Sequence, residues 1–282
     1  MSLLQLPEIR ADMSLAHLNF DLRPDAIQQW EPELQAAASD PATSISIYGP
    51  IGPSMDGSGV TDRSIAAALR SIGARDLTVN VNSPGGNYFQ GVAIYNLLRQ
   101  HQGKVTINVL GMAASAASLL TMAGDDILMG EGARLMIHNA WGAVIGNRHD
   151  LAKAITQMEP LDADMANAYA MRSGLPLERV TSLMDAETTF SASQAIGQGL
   201  ATGHLQANRV QRGASGGGQR KAMAMVETAL ASAGLSRSER RETLRSLFSG
   251  TPSAAEPAMP CAGDDIAALL RTTLHTIRGT NA

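Results

Sequence analysis

The chain has 282 residues, 44% of them hydrophobic and only 4% aromatic, and a formal net charge of −4. It can bury a sizeable core, which aliphatic and methionine side chains must fill. The single cysteine, Cys261, excludes an intrachain disulfide. No apolar run approaches the length of a transmembrane helix, and the polar N-terminal stretch differs from a secretory signal, so a cytoplasmic protein without a membrane-spanning segment is expected.

Strands alternate with helices from Ser44 onward. The first 40 residues show little periodicity and contain Pro24, which favours an arm or a partner-binding segment. Apolar, β-branched runs predict strands at 44–48, 77–82, 105–110, 126–129 and 134–138. Helical periodicity predicts helices at about 61–72, 90–102, 115–122 and 147–173, with Pro160 near a kink or an end of the last one. This alternation predicts mainly parallel strands joined by right-handed crossovers.

A glycine pair follows the second predicted strand, in Ser83-Pro84-Gly85-Gly86. Paired glycines allow a sharp turn and a close approach of the backbone to a ligand. Successive N–H groups in such a turn can bind an anion. A single Pro-Gly-Gly is nevertheless most often an ordinary turn, so both interpretations stay open for this motif alone.

Ser115 lies where the third predicted strand meets a helix, within Gly-Met-Ala-Ala-Ser-Ala-Ala-Ser. Its small neighbours leave the hydroxyl accessible, and the first free N–H groups of the helix lie beside it. A nucleophile needs this placement, because its attack develops negative charge on a carbonyl oxygen. The alternative is a helix start of small residues that packs closely on a sheet. Ser118 is a competing nucleophile, but we expect it to turn inward.

His138 ends the apolar strand that begins at Arg134. A lone histidine in this position is more often a core residue than a general base. Three such motifs at strand ends are harder to explain by coincidence, because functional groups of parallel sheets gather where the strands end. Together they favour a catalytic site.

The segment from Arg209 to Arg245 is basic, with eight Arg or Lys residues and three acids. A basic arm can contact nucleic acid or an acidic partner. Because aromatic residues are not interleaved, a solvated helical tail is favoured and nucleic-acid binding is not expected. The glycine-rich stretch 211–219 predicts a flexible linker, followed by short helices at 222–233, 237–248 and 264–278.

In this order, strand–Ser-Pro-Gly-Gly, Gly-x-Ala-Ala-Ser and Met-Ile-His resemble the proteolytic subunit of Clp protease, and more closely the Clp-like serine proteases of bacteriophage head-assembly modules. The resemblance covers roughly 44–205. It implies an α/β fold, a Clp protease/crotonase-like spiral of β-β-α units, with 147–173 as the long handle helix. It divides the chain into an N-terminal extension (1–43), a Clp-like serine protease domain (44–207) and a flexible C-terminal tail with short helices (208–282).

The resemblance also implies roles for individual residues. Ser115 is the implied nucleophile and His138 the base, while the N–H groups of Gly86 and Ala116 form the implied oxyanion hole. No cofactor and no metal are implied.

The third catalytic residue is where the chain departs from its relatives. Most Clp subunits carry an aspartate four residues before the Ser-Ala pair that begins the next helix, and Glu187 stands at that offset before Ser191-Ala192. We therefore expect Glu187 to orient His138, with Asp185 as the fallback.

The implied function is that of a serine endopeptidase that matures phage proheads or capsids. Its substrates would be capsid or scaffold proteins in the host cytoplasm, and the enzyme would form a homo-oligomeric ring, a heptamer or stacked rings. Three alternatives stay open: a housekeeping Clp subunit fed by a separate AAA+ unfoldase, a crotonase-like acyl-CoA enzyme, and an inactive capsid-assembly scaffold. The sequence lacks a Gly-x-x-x-x-Gly-Lys-Ser/Thr phosphate loop, so ATP-driven unfolding would need another protein.

Overall fold

A computed structural model describes residues 6–9, 22–37, 40–54, 57, 59–213 and 217–248. Its α-helices are α1 (Pro24–Gln29), α2 (Asp62–Ile72), α3 (Tyr88–Arg99), α4 (Ala116–Thr121), α5 (Arg148–Ser173), α6 (Leu177–Asp185), α7 (Ala192–Gly197), α8 (Gly217–Ser232) and α9 (Arg237–Phe248). Its strands are β1 (Leu34–Ala36), β2 (Ser44–Tyr48), β3 (Leu77–Ser83), β4 (Val105–Ala114), β5 (Asp126–Met129), β6 (Arg134–Met136), β7 (Thr189–Ser191), β8 (Gly203–His204) and β9 (Val210–Arg212). Cys261 and the predicted helix at 264–278 lie outside the described residues.

One seven-stranded sheet positions the candidate site. Strands β2, β3, β4, β5 and β8 are parallel neighbours in that order. Beyond its pairing with β5, β4 continues for several residues and pairs in parallel with β6, which in turn pairs antiparallel with β7. The prediction of a mainly parallel α/β sheet is therefore confirmed.

Two strands end elsewhere than predicted: β6 ends at Met136, two residues before His138, and β4 ends later than expected. β4 extends to Ala114 rather than ending at Leu110, because the pairing with β6 satisfies the backbone groups of its last residues. α5 contains Pro160 in its interior. Its start is fixed by a capping box between Asn147 and Asp150.

The N-terminal segment contains elements that periodicity did not predict. Pro24 is the first residue of α1 and Asp25 lies in its first turn, both favourable at a helix N-terminus. Trp30 is fully buried, and its indole N–H donates to the Asn82 carbonyl oxygen at 3.1 Å. The Asn82 amide in turn donates to the carbonyl oxygens of Glu31 and Leu34. These bonds fix the segment to the end of β3.

Helix α8 covers the same region from the C-terminal side. A second apolar cluster, separate from the main core, joins helices α1 and α8 to the ends of β4 and β6; its buried members are Ala26, Ile27, Trp30, Met112, Ala114, Met136 and Ala224. Residues Met1–Leu244 form one compact unit, and Arg245–Ala282 form a second. Part of the predicted tail thus packs within the first unit, because α8 completes this cluster.

Basic residues of the C-terminal segment bind the N-terminal segment. The Lys221 ammonium donates to the carbonyl oxygens of Gln28 and Trp30 at 2.6 and 2.8 Å. β9 pairs antiparallel with β1, where Arg212 forms an exposed ion pair with Glu31. Of the predicted linker 211–219, residues 211–212 are therefore strand and 217–219 are the start of α8, while 214–216 lie outside the described residues. No helix in the described part of the chain is long and apolar enough to cross a membrane.

Candidate active site

Ser115 occupies a strained turn between β4 and α4. Its φ of 57° and ψ of −126° are uncommon for a residue with a side chain, and its N–H donates to the Met136 carbonyl oxygen at 3.1 Å. The serine itself is partly exposed. Such backbone strain persists where the surroundings impose it, and it is frequent at functional sites. The turn therefore presents one accessible hydroxyl at the end of the sheet.

The glycine pair packs directly against this turn. A Cβ on Gly85 would lie 2.7 Å from the Ser115 Cβ and 2.5 Å from the Ala114 carbonyl oxygen. Both glycines have positive φ, +91° at Gly85 and +141° at Gly86. Ser83 stabilises the turn, because its hydroxyl donates to the Gly49 carbonyl oxygen and accepts from the Gly85 N–H. Glycine is thus required by both space and conformation.

Two backbone donors adjoin this contact in sequence, since Gly86 follows Gly85 and Ala116 follows Ser115. The hydrogen bonds of the described residues use neither the Gly86 N–H nor the Ala116 N–H. Ala116 is the first residue of α4, and the first N–H groups of a helix have no partner within it. Both expected oxyanion donors are therefore free to bind a substrate oxygen.

Strand register brings His138 and Glu187 together. In the antiparallel β6–β7 pair, Met136 lies opposite Thr189, and the next residue, Ile137, donates its N–H to the Thr188 carbonyl oxygen at 3.0 Å. His138 and Glu187 are the next residue of each segment beyond this bond, and the charge of Glu187 acts on the His138 ring. In the parallel β4–β6 pair, Ala114 lies opposite Met136, so Ser115 follows on the neighbouring strand.

His138 is buried and electrically neutral. The side chain is 4% exposed, and within the described structure neither ring nitrogen has a hydrogen-bond partner. Burial and, to a lesser extent, the positive charge of Arg23 lower the pKa of His138 to about 4, whereas the backbone of Asn139 and the carboxylates of Glu187 and Asp25 oppose the shift. A neutral imidazole can accept a proton, as a general base must.

Glu187 is engaged by a residue that the sequence analysis did not single out. The two amino groups of Arg23 donate to Oε1 and Oε2 of Glu187, each at 2.6 Å. This bidentate bond lowers the pKa of the Glu187 carboxyl. The expected hydrogen bond between Glu187 and His138 is absent from the described structure. Periodicity gave no reason to examine Arg23, although the following Pro-Asp is a recognisable helix start.

Asp185 and Ser118, the alternative candidates for the third catalytic residue and the nucleophile, form hydrogen bonds with other groups. Asp185 accepts a hydrogen bond from the Asn139 side-chain amide at 2.8 Å. Ser118 is fully buried, donates to the Ser115 carbonyl oxygen at 2.7 Å and shares a 2.8 Å hydrogen bond with the Tyr169 hydroxyl. The inward orientation predicted for Ser118 is what the structure has. In the described ranges, no group of three or more His, Cys, Asp or Glu side chains could hold a metal ion.

Comparison with known proteins identifies the family. A sequence model of the Clp protease family matches residues 56–206, more than half of the chain. The chain belongs to the Clp protease family. Members of this family are serine peptidases. The match contains Ser115, His138 and Glu187, whereas Arg23 and α8 lie outside it.

Individual Clp relatives are similar over just under half of the chain. The proteolytic subunit of the ATP-dependent Clp protease of Pleurastrum terricola is 31% identical over 130 residues, which cover 45% of this chain and 66% of the relative. The Deinococcus radiodurans subunit is 29% identical over 141 residues, 49% of this chain and 69% of the relative. Subunit 1 of Mycobacterium leprae is 31% identical over 131 residues, 45% and 64% respectively. The chain thus spans about two thirds of the length of these relatives.

Proposed function

We propose that this chain is a serine endopeptidase of the Clp proteolytic-subunit type that cleaves peptide bonds through an acyl-enzyme on Ser115. The observation that supports this best is the turn at Ser115. The turn packs against Gly85, where a side chain has no room, and the N–H groups of the adjoining residues Gly86 and Ala116 form no hydrogen bond within the described residues. A substrate carbonyl placed there would meet a nucleophile and oxyanion donors together.

In the proposed reaction, Ser115 Oγ attacks the scissile carbonyl while His138 removes its proton. The oxygen that becomes negative is stabilised by the two backbone N–H groups. His138 then protonates the leaving amine, and water releases the acyl group by the reverse sequence. His138 suits this role because its imidazole is neutral and buried beside the strand that leads to Ser115.

Glu187 is the proposed partner of His138 in the reaction. Glu187 lies near enough for its charge to raise the pKa of His138, and a carboxylate hydrogen-bonded to the ring would favour the imidazolium that forms during attack. Asp185 is less suitable, because it accepts a hydrogen bond from Asn139 and, unlike Glu187, is not among the charged groups that act on His138.

A fluorophosphonate probe tests the assignment of the nucleophile. Mass spectrometry of the labelled protein should place the adduct on Ser115, and Ser115→Ala should abolish both labelling and hydrolysis of fluorescent casein. Ser118→Ala is the matched control and should retain labelling. An adduct on Ser118, or none in any variant or at any pH, would contradict the proposal; the latter result would favour the crotonase-like or scaffold alternatives.

The proposed biological setting is the maturation of a phage prohead, with capsid or scaffold proteins as substrates. It is supported by the position of the C-terminal segment next to the turn that carries Gly86. A cavity of about 40 Å³ next to Gly86 and Asn87 is lined on its other side by Thr228 of α8 and by Arg240. An enzyme whose own C-terminal segment lies next to its site is suited to cleaving a few bonds, including bonds of its own chain.

Cleavage in cis distinguishes this setting from that of a housekeeping Clp subunit. Intact-mass measurements should show that the chain shortens itself, and that Ser115→Ala does not. A chain that stays uncut, and that degrades folded proteins only when an ATP-dependent unfoldase is added, would favour the housekeeping function.

We further propose that the chain assembles into rings, as the family resemblance implies. The first half of α5 supports this, because it carries two exposed large apolar residues, Leu151 and Ile155, the latter 63% exposed. Such residues commonly belong to an interface. Sedimentation at micromolar concentration should show a large homo-oligomer. A monomer for the wild type would contradict the proposal.

A further inference from the structure

We propose that Arg23 is a positioning residue that acts as a latch on the catalytic triad: by binding both oxygens of Glu187, it keeps this carboxylate from His138. The inference rests on the proposed function. Two observations support it. Arg23 donates a 2.6 Å hydrogen bond to each Glu187 carboxylate oxygen, and neither ring nitrogen of His138 has a side-chain hydrogen-bond partner in the described structure. The strand register would otherwise offer Glu187 to His138.

The geometry of the ion pair makes the competition direct. A guanidinium that binds a carboxylate through two parallel hydrogen bonds fixes the plane of that carboxylate as well as its position. Arg23 is only 12% exposed, whereas Glu187 is 51% exposed. The arginine is therefore the fixed partner of the pair, and the glutamate is the one free to turn toward His138.

The electrostatic effect of Arg23 acts in the same direction. During attack His138 must become a cation, and a second cation nearby disfavours that state. The charged groups that affect His138 are Arg23 and Asp25 in the N-terminal segment and Glu187 between α6 and β7. Removing the charge of Arg23 leaves two carboxylates, both of which favour the imidazolium.

Arg23 is held in place by both ends of the chain. Asp25 binds the same guanidinium at 2.9 and 3.1 Å, and Trp30 anchors the other end of α1 in the second apolar cluster. Lys221 of α8 donates to two carbonyl oxygens at the C-terminal end of α1. Release of α8 would therefore loosen the helix that carries the latch, and the site would become active.

The rate of fluorophosphonate labelling at Ser115, measured from pH 5 to 9, tests the latch. Arg23→Gln should label at least about tenfold faster near neutral pH, within the roughly 10⁴-fold that loss of a triad carboxylate costs. The acid limb of its pH profile should move to higher pH, because His138 regains a carboxylate and loses a neighbouring cation. Arg23→Lys cannot form the two parallel hydrogen bonds to Glu187, so its labelling rate should lie between those of Arg23→Gln and the wild type.

Arg212→Gln is the matched control, since it removes another arginine–glutamate pair between the terminal segments but away from His138; it should label as the wild type does. Lys221→Met should accelerate labelling without touching the site, and it serves as the second variant if Arg23→Gln fails to fold.

The outcomes separate this inference from the proposed function. Faster labelling of Arg23→Gln with a shifted acid limb supports the latch. Labelling on Ser115 in every variant, but with Arg23→Gln or Lys221→Met no faster than the wild type, would overturn the latch and leave the peptidase proposal intact. If Ser115 is labelled in none of them, the proposed function fails as well.

Discussion

Ser115 and Glu187 share a positive φ that no other non-glycine residue of the described chain has: 57° at the serine and 50° at the glutamate. They flank His138 on two sides, since β4 leads to Ser115 and β7 follows Glu187, and both strands pair with β6. Positive φ costs about 1–3 kcal/mol at such residues. Two strained residues around one buried histidine indicate that the fold holds these side chains in place against a local preference.

Gly85→Ala should impair both folding and activity. The added Cβ would collide with Ser115 and the Ala114 carbonyl oxygen, and φ would remain positive. Gly132→Ala is the control, because its φ is +76° but nothing lies within 4 Å of a Cβ there. Both variants should lose about 1 kcal/mol of unfolding free energy through the backbone, and only Gly85→Ala should also lose labelling at Ser115. Equal labelling rates would show that the glycine pair does not shape the site.

Glu187→Gln should lower the rate of peptide hydrolysis, but less than Ser115→Ala does. The base and the oxyanion donors remain, whereas no carboxylate is left to stabilise the imidazolium. Asp185→Asn should behave nearly as the wild type, because Asp185 contacts Asn139 rather than His138. The comparison uses steady-state rates of hydrolysis for variants whose circular dichroism spectra match that of the wild type. The reverse ranking would transfer the role to Asp185, and no effect of either would indicate a Ser/His dyad.

Ser118→Ala should reduce stability and spare the nucleophile. The buried Ser118 hydroxyl bonds to the Ser115 carbonyl oxygen and the Tyr169 hydroxyl, so its removal leaves buried polar groups without this partner. The expected loss is about 1–3 kcal/mol in denaturant unfolding. A variant as stable as the wild type would mean that this hydrogen-bond network contributes little to the fold.

Stability should fall as the pH is lowered from 6.5 toward 4. Burial lowers the pKa of His138 in the folded protein to about 4, so the unfolded chain binds more protons in this window. This loss of unfolding free energy is complete below pH 4, where it reaches at most about 3 kcal/mol. Above pH 6.5 there is no loss. Unfolding free energies of the wild type and His138→Gln at pH 7 and 5 measure it. The variant should lose less stability between these two values; an equal loss would contradict the assigned protonation state.

Trp30→Ala should destabilise the protein by about 3–5 kcal/mol, because it empties a fully buried site in the second apolar cluster. It also leaves the Asn82 carbonyl oxygen without its indole donor. Denaturant unfolding monitored by far-ultraviolet circular dichroism provides the value. A loss below about 1 kcal/mol would show that the N-terminal segment is only loosely attached.

Local signals in the sequence were sufficient to predict the strands of the sheet and to select candidate residues at its edge. Strand β5, an apolar run after Asp126, was predicted with its bounds, and helix α9 was predicted from Arg237 to Phe248. Ser115, Gly86 and His138 were found because each follows a strand, and parallel strands bring such residues to one edge.

Only the tertiary structure decided what surrounds His138. Arg23 is 164 residues from Glu187 along the chain, and no periodicity links the two. The end of β4 at Ala114 depends on pairing with β6, and α8 takes its position from the cluster that it completes around Trp30. The reason is physical: a pattern in sequence reports which face of an element is apolar, whereas an ion pair or a shared cluster depends on distant segments that meet only when the chain has folded.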